Sequence, residues 1–409
     1  DIKLDSEQLA HNPVVQELFE RIQQKQPVTA YELEKFMLLM NSFPGVNFRA
    51  VLEPIENAPA GLVSLSLLSE EIAGRGTFTG NNYGSKFLGP YQASVTYEKS
   101  YVPLQNTAIS VLTSTPVDEL NYVGVQHSMP IALDVELKLS ASHVKSQPGD
   151  GFQDNNIQSS STEFGVGVTW QPVRQRQENL AFSFEFVSKN TNGDILDNNP
   201  LTRDRIRVIR TGLTYDNIDR LNGFNFMNFK VSQGLDIMGA SQAGDSNLSR
   251  AEAKPNFTTA QFNYLRQQGI GQNFMTVSQL SGQLASETLF SSEEFGYGGQ
   301  NFGRAYDPSD ITGDHGLAAS LELRYTGLKP WQKFDFQPYT FYDIGKVWNK
   351  DTNGVDESAA SAGIGVRLAH SSGINGNIGL AWPLTRAISS PLYGNGKSPR
   401  LNLQLNYGF

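Results

Sequence analysis

The residues best suited to chemistry lie in a glycine-rich stretch and in a strand-like segment downstream of it. The stretch FGYGGQNFGRAYDPSDITGDHG interleaves Phe295, Tyr297, Phe302 and Tyr306 with glycines that permit tight backbone turns. The connection that holds it, 285–314, runs to about 30 residues, a length at which loops are usually functional or disordered. This composition is not that of a disordered tail. Downstream, the segment 334–344 places Phe334, Phe336, Tyr342 and Ile344 on one face and Asp335, Gln337, Tyr339, Phe341 and Asp343 on the other. A carboxylate on such a face needs water or a cation. Arg304 supplies the cation if the long loop folds inward, so the chemistry expected here is an internal ion pair between Arg304 and Asp343.

Signals for catalysis are poor. His11, His127, His143, His315 and His370 are scattered, with no pair at metal-ligand spacing. No Gly-x-Ser-x-Gly or Walker sequence is present. Asp307, Asp310 and Asp314 lack the spacing of a calcium loop and read as solvated loop carboxylates. The absence of cysteine excludes thiolate metal sites and disulfides. A net charge of −9 argues against nucleic acid as a partner. The expectation is a protein that is not an enzyme and carries no metal or cofactor.

The elements that must position these residues are strands. The chain has 409 residues, 39% of them hydrophobic, and its mean hydropathy is negative. No apolar run approaches the roughly 18 residues of a spanning helix, so a membrane protein of this composition must be a barrel. From Arg75 onward, apolar and polar residues alternate. Leu133, Val135, Leu137, Leu139 and Ala141 oppose Asp134, Glu136, Lys138 and Ser140; Leu317, Ala319, Leu321, Leu323 and Tyr325 oppose Ser320, Glu322 and Arg324. The cleanest case is the last, with Leu401, Leu403, Leu405, Tyr407 and Phe409 on one face. Segments 120–126 and 205–215 are mixed. Seven short connections, near 102–105, 129–132, 171–178, 219–223, 267–272, 329–332 and 371–376, alternate with eight longer polar ones. The longer ones lie around 83–90, 114–119, 147–158, 190–203, 236–254, 285–314, 349–357 and 386–398. That predicts sixteen antiparallel strands in residues 73–409, with short turns at the periplasmic rim and long loops outside. The even count places both barrel ends and everything before them in the periplasm. The barrel should close between 75–82 and 400–409, a glycine-containing strand against the most regular one.

Residues 1–72 read differently. After a short start at 1–4, Asn12-Pro13 opens a helical pattern of Val14, Val15, Leu18, Phe19 and Ile22. Thr29 and Glu32 form a capping box for a second helix with Leu33, Phe36, Met37 and Met40 on its apolar face, ended by Pro44-Gly45. Strand-like runs at 46–53 and 61–69, joined by the turn-rich 56–60, should pair and leave a free edge. The order is β-α-α-β-β. No signal peptide precedes Asp1, so the sequence reads as a mature or shortened form.

The N-terminal unit, above all ELEKFMLLMNSFPGVNFRAVLEP, resembles a POTRA domain of the two-partner secretion transporters, the filamentous-haemagglutinin and haemolysin exporter group. Gly303-Arg304-Ala305-Tyr306 followed by Ile311-Thr312-Gly313-Asp314 resembles that family's V-R-G-Y/F…S-G-D loop motif. Phe341-Tyr342-Asp343-Ile344-Gly345 resembles its F-x-D-x-G strand motif, and FTGNNYGSKFLGPYQASVTYE is similar to its opening strand region. Two departures stand out: Gly303 occupies the family's Val position and Ala305 its Gly position. Members normally carry two POTRA domains and a plug helix, whereas only the barrel-proximal unit is visible in this sequence.

The resemblance implies an outer-membrane pore that exports a large unfolded exoprotein without ATP, the POTRA region binding the client's N-terminal secretion domain. Its partners would be that exoprotein and outer-membrane lipid. The alternatives are a barrel-assembly insertase of the same superfamily, which usually carries more POTRA domains, and a passive porin, which needs neither residues 1–72 nor an inward-folded loop.

Overall fold

The computed structural model describes residues 2–25, 27–55, 62–72, 74–101, 104–196, 199–331, 333–351, 354–388 and 390–409, without the side chains of 329–331. The N-terminal residues form β1 (Ile2–Leu4), α1 (Glu7–Ala10), α2 (Pro13–Gln23), α3 (Ala30–Met40), β2 (Val46–Pro54) and β3 (Val63–Glu71). Helix α2 starts where expected: the Asn12 side chain accepts the N–H groups of Val14 and Val15, and Pro13 occupies the first turn. Helix α3 carries both halves of the Thr29–Glu32 capping box. The extra helix α1 changes the expected order to β-α-α-α-β-β. It is a single turn capped by Ser6, too short to show a helical period. Strand β3 starts at Val63 rather than at 61, and the turn at 56–60 lies outside the described residues. The sheet order is β1-β3-β2, so β2 is an edge.

The barrel begins with β4 (Arg75–Asn81), β5 (Tyr91–Tyr101), β6 (Gln105–Thr115), β7 (Leu120–Ala132), β8 (Val135–Ser146) and β9 (Gln158–Arg174). It continues through β10 (Glu178–Ile195), β11 (Asn199–Ile218), β12 (Phe224–Gly234), β13 (Thr258–Ile270) and β14 (Phe274–Ala285). The long connection that follows contains a small hairpin, β15 (Phe295–Tyr297) and β16 (Ile311–Gly313). The wall resumes with β17 (His315–Tyr325), the short β18 (Leu328–Trp331), β19 (Phe334–Trp348), β20 (Glu357–His370), β21 (Ile374–Pro383) and β22 (Arg400–Gly408). Among the described residues sixteen long strands close into one antiparallel barrel, β22 pairing with β4, while β18 only extends the turn before β19.

Alternation decides which way each residue faces. On β22, Leu401, Leu403, Leu405 and Tyr407 point outward and stay 37–48% exposed, while Arg400 and Asn402 point inward and are 4% and 3% exposed. Phe164, Val166, Val168 and Trp170 of β9 and Leu317, Leu321 and Leu323 of β17 repeat the apolar-outside arrangement. A water-soluble barrel hides its apolar face; this one presents it, as a wall facing lipid must. No helix among the described residues is long and apolar enough to cross a membrane.

Two expectations need correction. Among the described residues the polar segment 190–203 is mostly strand: β10 and β11 pair through it from Asn190↔Arg205 to Ile195↔Asn199, with a register shift between Gly193 and Asp194. Ladder bonds use the backbone and tolerate polar side chains, so these strands continue past the apolar zone and reach 18 and 20 residues. Leu133 does not follow the alternation of β8. It lies in the turn before that strand, 2% exposed, and packs with Leu104 from another short turn into the N-terminal core of Val15, Leu18, Phe36, Met40 and Phe48. Arg21 to Asp134 (3.4 Å) and Arg174 Nη1 to Ser42 Oγ (2.9 Å) tie the same two parts together.

Candidate functional site

Strands β17 and β19 form the wall of the site. Their pairing sets Ser320 opposite Asp343 and Glu322 opposite Phe341, all facing the lumen. Asp343 is 0% exposed and Glu322 4%. Two buried carboxylates on adjacent strands are untenable without cations. The long loop brings one by folding inward, which places Arg304 between them.

Arg304 is bound through backbone and side chain together. Its backbone N–H and Nε both donate to Asp343 Oδ2, at 3.1 and 3.0 Å, and Nη2 donates to Asp343 Oδ1 at 2.9 Å. Nη1 donates to Glu322 Oε2 and Nη2 to Ser320 Oγ. The guanidinium lies 3.4 Å from the centroid of the Phe341 ring, in cation–π contact. Ser320 Oγ donates to Asp343 Oδ1 at 2.7 Å. Glu322 also accepts from Arg324 Nε at 2.6 Å and Arg367 Nε at 3.1 Å. Three guanidinium groups thus share two carboxylates.

One glycine from each motif, Gly303 and Gly345, makes room for one ring. Tyr297 is 0% exposed. A Cβ on Gly345 would lie 2.2 Å from its ring, and one on Gly303, which has φ +72°, would lie 2.6 Å away. Val at position 303 would meet both the ring and the left-handed backbone, so glycine is required there in this chain. Ala305 is fully buried, and the Tyr306 hydroxyl donates to the carbonyls of Ala360 at 3.0 Å and Arg386 at 3.2 Å. A Cβ on Gly313 would lie 2.9 Å from the Trp348 carbonyl, so this glycine lets the base of the loop lie against β19.

Contrary to the expectation of solvated loop carboxylates, Asp307 and Asp314 are buried, 7% and 0% exposed, because arginines reach them, and Asp314 belongs to a separate node. Its carboxylate accepts from Arg250 Nη1 at 2.5 Å and Nη2 at 3.1 Å, and from the backbone N–H groups of Leu289 and Lys350, both at 2.8 Å. Arg250 also reaches Asp351 at 2.8 Å. Three long connections meet here. Burial alone would raise the Asp314 carboxyl; these donors outweigh it and hold it below the usual aspartate value. A third attachment reaches β22. Asn402 Nδ2 donates to the Arg304 carbonyl at 2.8 Å, and Arg400 donates to Asp307 at 2.5 Å and to the Gly84 carbonyl at 2.8 Å.

Sequence reasoning brought Arg304 and Asp343 together, and the structure places them in contact. It did not assign partners to Glu322, Arg324, Arg367, Arg250 or Arg400. For Glu322 and Arg324 the alternation of β17 gave the face but not the contact. Arg250 lies in a loop with no period, so nothing local marks it. Among the described residues no group of three or more His, Asp or Glu side chains is placed to hold a metal. The arrangement can anchor a loop across a lumen.

The model of the haemolysin secretion/activation protein ShlB/FhaC/HecB family matches residues 69–368, well over half of the chain. The heme/hemopexin transporter protein HuxB of Haemophilus influenzae is 21% identical over 369 residues, 88% of this chain and 65% of the relative. The chain therefore spans just under two thirds of the length of that curated relative. Among solved structures, CdiB from Escherichia coli superposes with a TM-score of 0.79 at 15% identity, covering 100% of this chain and 76% of that one. BamA from Haemophilus ducreyi lacking POTRA domains 1-3 gives a TM-score of 0.65 at 12% identity, with 100% and 84% coverage. At these identities the solved structures establish the fold, a closed barrel of the outer-membrane kind. The family match covers both the loop motif and the strand motif, and the chain belongs to the haemolysin secretion/activation protein ShlB/FhaC/HecB family.

Proposed function

We propose that this chain is the outer-membrane pore of a two-partner secretion system, exporting one large unfolded exoprotein from the periplasm to the cell surface. The observation that carries the reading is the long loop anchored in the lumen by Arg304 on Asp343 and Glu322, within a barrel of this family. Sixteen strands enclose an aqueous lumen wide enough for an extended chain once the loop withdraws. No ATP is available in the periplasm, so folding of the client outside supplies the direction.

In this reading residues 1–72 are a POTRA domain below the short-turn rim. It takes the N-terminal secretion domain of the client by strand addition to the edge of β2, and the barrel wall contacts outer-membrane lipid. Neither nucleic acid nor a cofactor takes part. The test is co-expression with a candidate client, a large secreted protein carrying an N-terminal secretion domain. The client should reach the surface only when the chain is present, and surface display without the chain would overturn the reading.

A second reading, barrel insertion, has one observation in its favour. The β22–β4 ladder has five residue pairs against eleven for β5–β6, extended by reciprocal Gly76–Phe409 bonds, so the closure is short. Restored assembly of other barrels in cells depleted of their insertase would favour it. A passive porin fits less well, because the loop is anchored on lumen-facing residues and the N-terminal unit packs against one rim.

A further inference from the structure

The extension of β10 and β11 carries a charged feature on its outer face. The register sets Ser188, Asn190 and Asn192 opposite Arg207, Arg205 and Arg203. By alternation this is the face of Phe184, which is 50% exposed, and of Phe164, which pairs with Ser188 and is 59% exposed. The intervening residues Ile206 and Val208 face the other way, into a cluster with Phe257 and Phe290. Three arginines therefore stand at successive outward positions where the apolar wall gives way to the long-loop rim.

Arg203 is paired with Asp194. Among the described residues neither Arg205 nor Arg207 lies within ion-pair distance of a carboxylate. Arg205 donates to the Thr191 and Asp204 carbonyls and to Asn192 Oδ1. Arg207, only 7% exposed, donates through Nη1 to the Ile206 and Lys189 carbonyls and to Asn190 Oδ1, and its buried Nε has no acceptor. Residues two apart on a strand stand about 7 Å apart, so the two guanidinium groups repel each other. A cation buried without a counter-charge is costly. The pair is complementary to a multivalent oxyanion, for which guanidinium forks are the best-matched donors.

We propose that Arg205 and Arg207 bind a phosphate group of an anionic glycolipid headgroup at the long-loop rim, with its acyl chains lying along Phe164 and Phe184. The lipid source is favoured because the cations sit directly at the edge of an outward apolar wall. Naming the outer leaflet rests on the export orientation proposed above; the binding itself does not.

The test uses the full chain in neutral detergent, titrated with diphosphoryl lipid A, with its dephosphorylated form and with inorganic phosphate, and read by native mass spectrometry. Diphosphoryl lipid A should bind the unaltered chain. The double variant Arg205→Gln/Arg207→Gln should lose affinity at least tenfold, and Arg205→Gln, which leaves the buried Arg207 in place, should lose less. Lys145→Gln, an exposed change elsewhere on the wall, should match the unaltered chain. Equal binding by the double variant, equal binding of the dephosphorylated lipid, or tighter binding of inorganic phosphate than of the lipid would overturn the proposal. Leu196→Cys, labelled in whole cells by an impermeant maleimide, reports orientation separately. Absence of labelling would overturn the export orientation and leave the binding result standing.

Discussion

At the scale of single residues, the central feature is one cation shared by two carboxylates. Replacing Arg304 by Ala leaves Asp343 and Glu322 buried without it, and breaking such a pair costs about 3–5 kcal/mol. The expected outcome is release of the loop: new protease cleavage within 295–313, lower thermal stability and reduced export, with insertion of the barrel largely preserved. An unchanged cleavage pattern would mean that the packing of Tyr297 and Tyr306 holds the loop without the charge. Asp314 predicts a pH dependence. Its folded value is depressed, so its contribution to joining the loops is fully present above the ordinary aspartate value and is lost as the pH falls through the lower, folded value. In Arg250→Gln, which removes the main donor and leaves burial to raise the carboxyl, the acid sensitivity of hydrogen exchange at Leu289 and Lys350 should move to higher pH.

At the scale of elements, the edge of β2 and the short turns make separable predictions. Ile72 donates to the Gly45 carbonyl at 2.9 Å, and β2 and β3 are antiparallel, so the N–H groups of Asn47, Arg49 and Val51 face β3. Phe48 instead bonds Asn41, and the N–H groups of Ala50 and Leu52 face the open edge. Proline at 50 or 52 should weaken client binding roughly two- to tenfold, the net worth of a hydrogen bond. Proline at 51 should unfold the sheet edge itself. Unchanged affinity in folded variants at 50 and 52 would exclude strand addition here. Leu133 joins barrel to N-terminal unit, so Leu133→Ala should cost about 2–5 kcal/mol. The loss should appear as faster hydrogen exchange in α2 and α3 with the barrel ladder unchanged.

At the scale of the whole molecule, the closure decides how the pore can open. Strand β4 offers seven residues, two of them glycine, and the Asn82 side chain supplements the ladder by donating to the Leu401 carbonyl at 2.7 Å. The loop adds to this, since Arg400 links Asp307 to the Gly84 carbonyl across the closure. In the proposed export reading, withdrawing the loop would break the Arg400–Asp307 bond that ties it to the closing strand. Thr79 and Asn406 face each other in register, and the chain contains no cysteine. A disulfide between Thr79→Cys and Asn406→Cys should block export if the seam must part, while one between Thr96→Cys and Ser110→Cys in the β5–β6 ladder should not. Export surviving the first crosslink would show that the lumen alone suffices.

The sequence by itself determined the barrel, because strand alternation is a local property with a period of two. The faces of β17, β19 and β22 follow from parity alone, and so does the lumen position of Asp343. Helix starts at Asn12 and Thr29 were legible for the same reason, since caps act within three residues. Other features are not local. The extension of β10 and β11 is decided by backbone pairing between strands, which polar side chains do not betray. Leu133 obeys the parity of β8 in sequence, yet it is drawn into the N-terminal core because a turn lets its side chain leave the wall. The partners of Arg304 beyond Asp343, and the meeting of Arg250 with Asp314, depend on where loops far apart in the chain converge. Only tertiary structure decides that, because a buried charge finds its counter-charge in space, and nothing in the spacing of residues along the chain records which one it will be.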